Sequence, residues 1–202
     1  MKTHPAIAVV EFSEIPAGAF ATDAMLKKAP IASVHAGTVT HGRYLTIIGG
    51  TPAAVAEALA AGLYCGGESV LDHVFLADVH AQLYEGILGA RMTGAAGALA
   101  ILETDTVAAT VRAAEAALKG TPVQLVEVRL ADAGLAGKGI SVYRGELHDI
   151  EAAVGLALAA VGPERRVTHR IIPAPHEALA SGVDQDTRFA AATPIDLDGE
   201  TG

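Results

Sequence analysis

Apolar and polar positions alternate along the chain in a fixed order of short runs and helical stripes. Ile7–Phe12 is an apolar run of strand length broken only by Glu11, the pattern of a buried strand. A helical stretch follows, with Ala17, Ala21 and Ala24 on its face and Lys27–Lys28 at its end. Pro30 stops it, because the residue before a proline avoids the helical region. Two strands, 31–38 and 43–48, flank a glycine turn, and an alanine-rich helix (52–64), a strand (69–76) and a short helix complete the set. The same order recurs as a strand over Leu99–Glu103, a helix with Thr106 as its N-cap and Pro122 at its end, strands at 123–131 and 138–144, a helix at 147–161, a strand at 166–172 and a short helix. Each half reads βαββαβ, which predicts an α+β chain of two tandem ferredoxin-like domains.

The two halves are copies. Residues 8–31 align without gaps to 100–123, with 8 of 24 positions identical, among them Glu11/Glu103, Leu26/Leu118, Lys27/Lys119 and Pro30/Pro122. The offset grows from 92 to 95 between that stretch and Gly42/Gly137, so the second copy has gained three residues. The turn "TVTHGRY" (38–44) is the expected place, its counterpart being "ADAGLAGKG" (131–139). Later, "FLADVHAQL" pairs with "IIPAPHEAL" and aligns His80 with His176. The domains are expected at 1–92 and 93–182. From Val183 to residue 202 the sequence is polar and aperiodic, which predicts a mostly disordered tail.

Composition narrows the function. Among 202 residues 51% are hydrophobic but only 4% aromatic, and about a fifth are alanine. Such small apolar side chains suit flat, closely packed faces. The net charge of −9 with scattered Lys and Arg argues against nucleic acid. No apolar run reaches the roughly 20 residues that span a bilayer, so no membrane role is expected, and the start does not read as a secretory signal. Cys65 is the only cysteine, which excludes an internal disulfide or a Cys-rich metal site and makes the cytoplasm the default compartment.

Taken together, "DAMLKKAPI" with "EAALKGTPV", the turns "THGR" and "GLAGK", the "GG" and "RG" that close the third strands, and "IIPAPHEAL" resemble the shell proteins of bacterial microcompartments. The resemblance is to the tandem form with two shell domains per chain, in its single-layer type. It implies a homotrimer forming a pseudohexagonal tile, packed edge to edge with other shell proteins, with no catalysis. It also implies a central pore for small metabolites, lined by Val39, Thr40, His41, Gly42 and Arg43 and by Gly134, Leu135, Ala136, Gly137 and Lys138. Some members carry an iron–sulfur cluster; Thr40 stands where they place a Cys, and hydroxyls do not hold such a cluster, so no cofactor is expected.

For several residues two readings stand. The 38–43 turn is a pore loop or a plain hairpin in which Gly42 supplies an unusual φ. Three His41 imidazoles and a water would make an accepted zinc geometry, but only with convergent, supported rings; an ionisable pore group beside Arg43 is favoured, and no metal is expected. "GLAGK" is a close-approach loop or a turn, and lacks the spacing of a phosphate-binding loop. Lys27 and Lys119 are helix-end cations or, as the resemblance implies, tile-edge contacts; His80 and His176 are helix starts or edge residues. Glu11 and Glu103 end the first strands without a nucleophile nearby, which favours structural hydrogen bonding, and Cys65 reads as a structural thiol. The rival to a shell tile is a tandem-domain regulatory protein that binds a small molecule between its copies.

Overall fold

A computed structural model describes residues 5–94 and 96–199. The first domain runs β1 (Ala6–Phe12), α1 (Ile15–Lys28), β2 (Ser33–Val39), β3 (Arg43–Gly50), α2 (Pro52–Gly66), β4 (Val70–Leu76) and α3 (Ala81–Ile87). The second repeats it as β5 (Ala98–Thr104), α4 (Val107–Gly120), β6 (Gln124–Leu130), β7 (Gly139–Gly145), α5 (Leu147–Val161), β8 (Val167–Ile172) and α6 (Glu177–Gln185). Each domain has one antiparallel sheet, ordered β2-β3-β1-β4 and β6-β7-β5-β8. The expected βαββαβ order is present in both halves. Thr106 caps α4 as expected, its side chain accepting the Ala109 N–H.

Strand alternation sends one set of side chains to each face of a sheet. In the first domain Ala8, Val10 and Phe12 meet Met25 of α1 and Val55, Ala58 and Leu59 of α2 in a closed core. The opposite face, with Ile7, Val9, Leu45, Ile47 and Val74, is continuous with Val107, Val111, Ala114 and Leu118 of α4 and with the helix-side core of the second domain. One apolar cluster therefore spans both domains, and α4 is buried from both sides. The far face of the second sheet forms a smaller cluster of Leu99, Val126, Ile140 and Val142 under Val183 of α6.

The three added residues fall where the sequence placed them. The β2–β3 pairing runs out to Val39/Arg43 and leaves Thr40–Gly42, while the Ala131 N–H donates to the Lys138 carbonyl and leaves residues 132–137. The tail differs from its expectation at its start. α6 continues through Gln185, Val183 is buried, and Arg188 pairs with Asp132 at 2.5 Å and with Glu127 at 3.2 Å. The buried Glu127 and the half-buried Asp132 of the second domain hold this polar stretch in place, which the absence of hydrophobic period could not reveal.

Candidate functional site

The two glycine loops of one chain are locked together. Thr40 donates its hydroxyl to the Ala131 carbonyl at 2.6 Å and accepts the Gly137 N–H at 3.0 Å. Arg43 Nη1 lies 2.8 Å from the Gly137 carbonyl and 3.1 Å from the Asp105 carbonyl, and it pairs with Glu11 Oε1 at 3.1 Å. His41 takes up left-handed backbone (φ 68°, ψ 21°) and Gly42 follows at φ 69°, which reverses the chain within three residues. For a residue with a Cβ this conformation costs about 1 kcal/mol. The longer loop reverses through Gly134, Ala136 and Gly137, also at positive φ.

These contacts sort the expected pore residues. His41, Gly42, Gly134, Ala136 and Lys138 are exposed, whereas Val39, Thr40 and Arg43 are half-buried. Leu135 and Gly137 are buried, Leu135 within the apolar cluster around Leu99 and Val142. The Arg43 charge faces Glu11 and loop carbonyls, so its role inside the chain is to tie the loops to the first strand. Among the described residues no cluster of side chains is arranged to hold a metal ion. An iron–sulfur cluster does not fit this loop: the Thr40 hydroxyl is committed to backbone partners, and the one thiol, Cys65, lies at the end of α2.

Behind the loops lies a polar seam between the domains. Glu11 is fully buried, and its Oε2 accepts the Val107 N–H at 2.6 Å and the Ala108 N–H at 3.3 Å, the first turn of α4. That arrangement satisfies orphan donors and sets a carboxylate at the positive end of the helix. Burial pushes this carboxyl up to about 7, against the pull of Arg43 and the two N–H groups. Asp72, on β4, is also buried; it accepts the Thr106 hydroxyl at 2.6 Å and pairs with Arg112 and Arg165, each at 3.3 Å. Sequence reasoning passed over Asp72, although a lone acid inside the apolar strand "SVLDHVFL" was a visible signal.

The expected edge residues divide. Lys27 is exposed and pairs only with Asp23, one helical turn away at 2.5 Å, among the ion pairs found for it. Lys119 pairs with Glu115 at 2.7 Å and reaches the Asp78 carbonyl of the first domain. His80 stands at the domain seam, its backbone N–H donating to Glu115 Oε2 at 3.0 Å. His176 is an exposed helix start whose Nδ1 accepts the Ala178 N–H at 3.2 Å.

Two sheets in tandem, each carrying its two long helices on one face and its loop at one end, repeat one unit within the chain. Residues 6–79 and 98–175 each match the BMC domain model, and the chain belongs to the BMC-domain family of bacterial microcompartment shell proteins. It is 35% identical over 175 residues to the bacterial microcompartment shell protein PduT of Citrobacter freundii, a match covering 86% of this chain and 95% of that protein. The crystal structure of a microcompartment protein from Desulfitobacterium hafniense DCB is similar at a TM-score of 0.74 and 34% identity, over 86% of this chain and 97% of that one. The double-ringed trimeric shell protein MSM0271 of the RMM microcompartment shares the fold at a TM-score of 0.56 and 20% identity, over 77% and 82% of the two chains. These relatives give no support to a regulatory receptor.

Proposed function

We propose that three copies of the chain close into a pseudohexagonal tile of the shell, with both loops of each chain around a central opening that passes small metabolites. One observation carries this reading: side chains buried at the seam inside the chain have exposed counterparts on its outer flanks. Val107 and Leu118 on α4 are 0% and 4% exposed, while Ile15 and Leu26, their equivalents on α1, are 39% and 45% exposed. Leu83 on α3 is 0% exposed and its equivalent Leu179 on α6 is 44% exposed. The α6 flank of one copy thus offers to the α1 flank of the next the same match that α3 and β4 make with α4. Repeated head to tail, a two-domain unit of this kind closes into a ring.

At the opening, His41, Gly42, Gly134, Ala136 and Lys138 form the rim, and Val39, Thr40, Arg43, Leu135 and Gly137 hold it in shape. Lys27, exposed and paired with Asp23, is offered for contact with neighbouring tiles and other shell proteins, as are Lys119 and His176. The role is structural and not catalytic. Sedimentation equilibrium at micromolar concentration tests the assembly: a single species of three chains is expected, and a stable monomer overturns the reading.

A further inference from the structure

The repeat also places a polar counterpart of the domain seam on the outer flank. By strand register Glu103 and Thr168 of the second domain stand where Glu11 and Asp72 stand in the first. Lys138 follows Gly137 as Arg43 follows Gly42, and it pairs with Glu103 at 2.9 Å as Arg43 pairs with Glu11. In the first domain this group is closed over by the start of α4. In the second it remains open: Thr168 and Lys138 are exposed, Glu103 is half-buried and, with Asp105 and Arg166, they line a cleft of about 110 Å³.

The matching piece is on the other flank of the same chain. α1 begins at Glu14–Ile15, the counterpart of Thr106–Val107, and Glu14 makes no side-chain capping bond. α4 by contrast has both the Thr106 cap and Glu11. We infer that the Glu103–Lys138–Thr168 cleft is the socket for the α1 start of a second copy. Glu103 accepts the next copy's Ile15 N–H, and Lys138 donates to its Ser13 and Gly42 carbonyls, the counterparts of the Asp105 and Gly137 carbonyls that Arg43 meets. One pair is reversed. Inside the chain a helix-start hydroxyl, Thr106, donates to a strand carboxylate, Asp72; between copies the strand hydroxyl of Thr168 donates to the helix-start carboxylate of Glu14. Pro16 stands where Ala108 donates its N–H, so the socket makes one helix-start bond fewer than the inner seam. The reversal also fixes pairing order, since a strand acid at 168 would meet Glu14 as a like charge.

This inference rests on the trimer reading, and the test separates the two. The trimer dissociation constant of the full chain is measured by sedimentation for the wild type, Thr168→Asp, and the double variant Thr168→Asp/Glu14→Thr, which rebuilds the inner Asp–Thr pair at the outer seam. Both positions are exposed in the single chain, and thermal unfolding confirms that each variant folds. Thr168→Asp should weaken the trimer about tenfold or more, and adding Glu14→Thr should restore it. A wild-type trimer indifferent to Thr168→Asp, or a double variant as weak as the single one, overturns the socket and leaves the trimer standing. A monomeric wild type overturns both.

Discussion

Glu11, on the first strand of one domain, holds the first turn of a helix in the other, its Oε2 accepting the Val107 N–H at 2.6 Å. Burial pushes that carboxyl up to about 7 from its ordinary 4.5, with Arg43 and the Ala108 and Val107 N–H groups opposing it. The folded chain thus holds this proton more tightly than the unfolded chain does. Its contribution to stability is complete below the unfolded value and is lost as pH rises through about 7. Urea unfolding from pH 4.5 to 8 should show the wild type losing about 3 kcal/mol more than Glu11→Gln over that range. Equal pH slopes for the two proteins would refute the assignment.

Asp72 gathers a hydroxyl and two guanidinium groups from the second domain, Thr106 at 2.6 Å and Arg112 and Arg165 at 3.3 Å each. Asp72→Ala leaves both cations half-buried without their carboxylate. Removing one partner of such a group costs about 3 kcal/mol. Asp72→Asn retains an acceptor and should cost less. Chemical denaturation reads both values, and an Asp72→Ala protein as stable as the wild type would show that the seam is held by its apolar cluster alone.

The element order, the Thr106 cap and the position of the three added residues were legible because each rests on local rules. Strand length, the proline stops and the glycine turn are written in consecutive residues, and the repeat let each half check the other. Arg43 was harder to read: its turn pointed to a pore charge, but its partners, Glu11 and the Gly137 carbonyl, lie 32 and 94 residues away. Leu135 sat inside a glycine loop and read as lining, although its side chain is the one large apolar group there and joins the core. Arg188 lay in an aperiodic segment whose order comes from Glu127 and Asp132, so no pattern of its own announced it. The exposed flank of α1 was equally hidden, since α1 and α4 have similar apolar patterns and differ in what covers them.

Glycines on two helices should respond oppositely to the same substitution. A Cβ at Gly18 of α1 would lie 2.6 Å from Tyr44 Cβ, too close for the ring to evade, whereas a Cβ at Gly155 of α5 meets nothing within 4 Å. Gly18→Ala should therefore lose about 1–3 kcal/mol to overpacking, despite its better helix propensity. Gly155→Ala should gain about 0.5–1 kcal/mol from propensity. Thermal unfolding of the two variants beside the wild type checks the sign of each. A stabilised Gly18→Ala would mean that α1 can ride away from β3.

The two repeat lysines should also part company. Lys27 pairs with Asp23 on its own exposed helix face, while Lys119 pairs with Glu115 and reaches across the seam to Asp78. An exposed pair one helical turn apart contributes only about 0.3–0.5 kcal/mol, so Lys27→Ala should leave folding and trimer formation almost unchanged. If Lys27 is the contact between tiles, the wild type should assemble into extended sheets and the same variant should not, as seen by negative-stain electron microscopy. Lys119→Ala removes a link between domains and should lower the unfolding midpoint measurably while its trimers still join at the Lys27 edge. Sheets formed by Lys27→Ala as readily as by the wild type would move the edge contact elsewhere, with His176 the next exposed position to substitute.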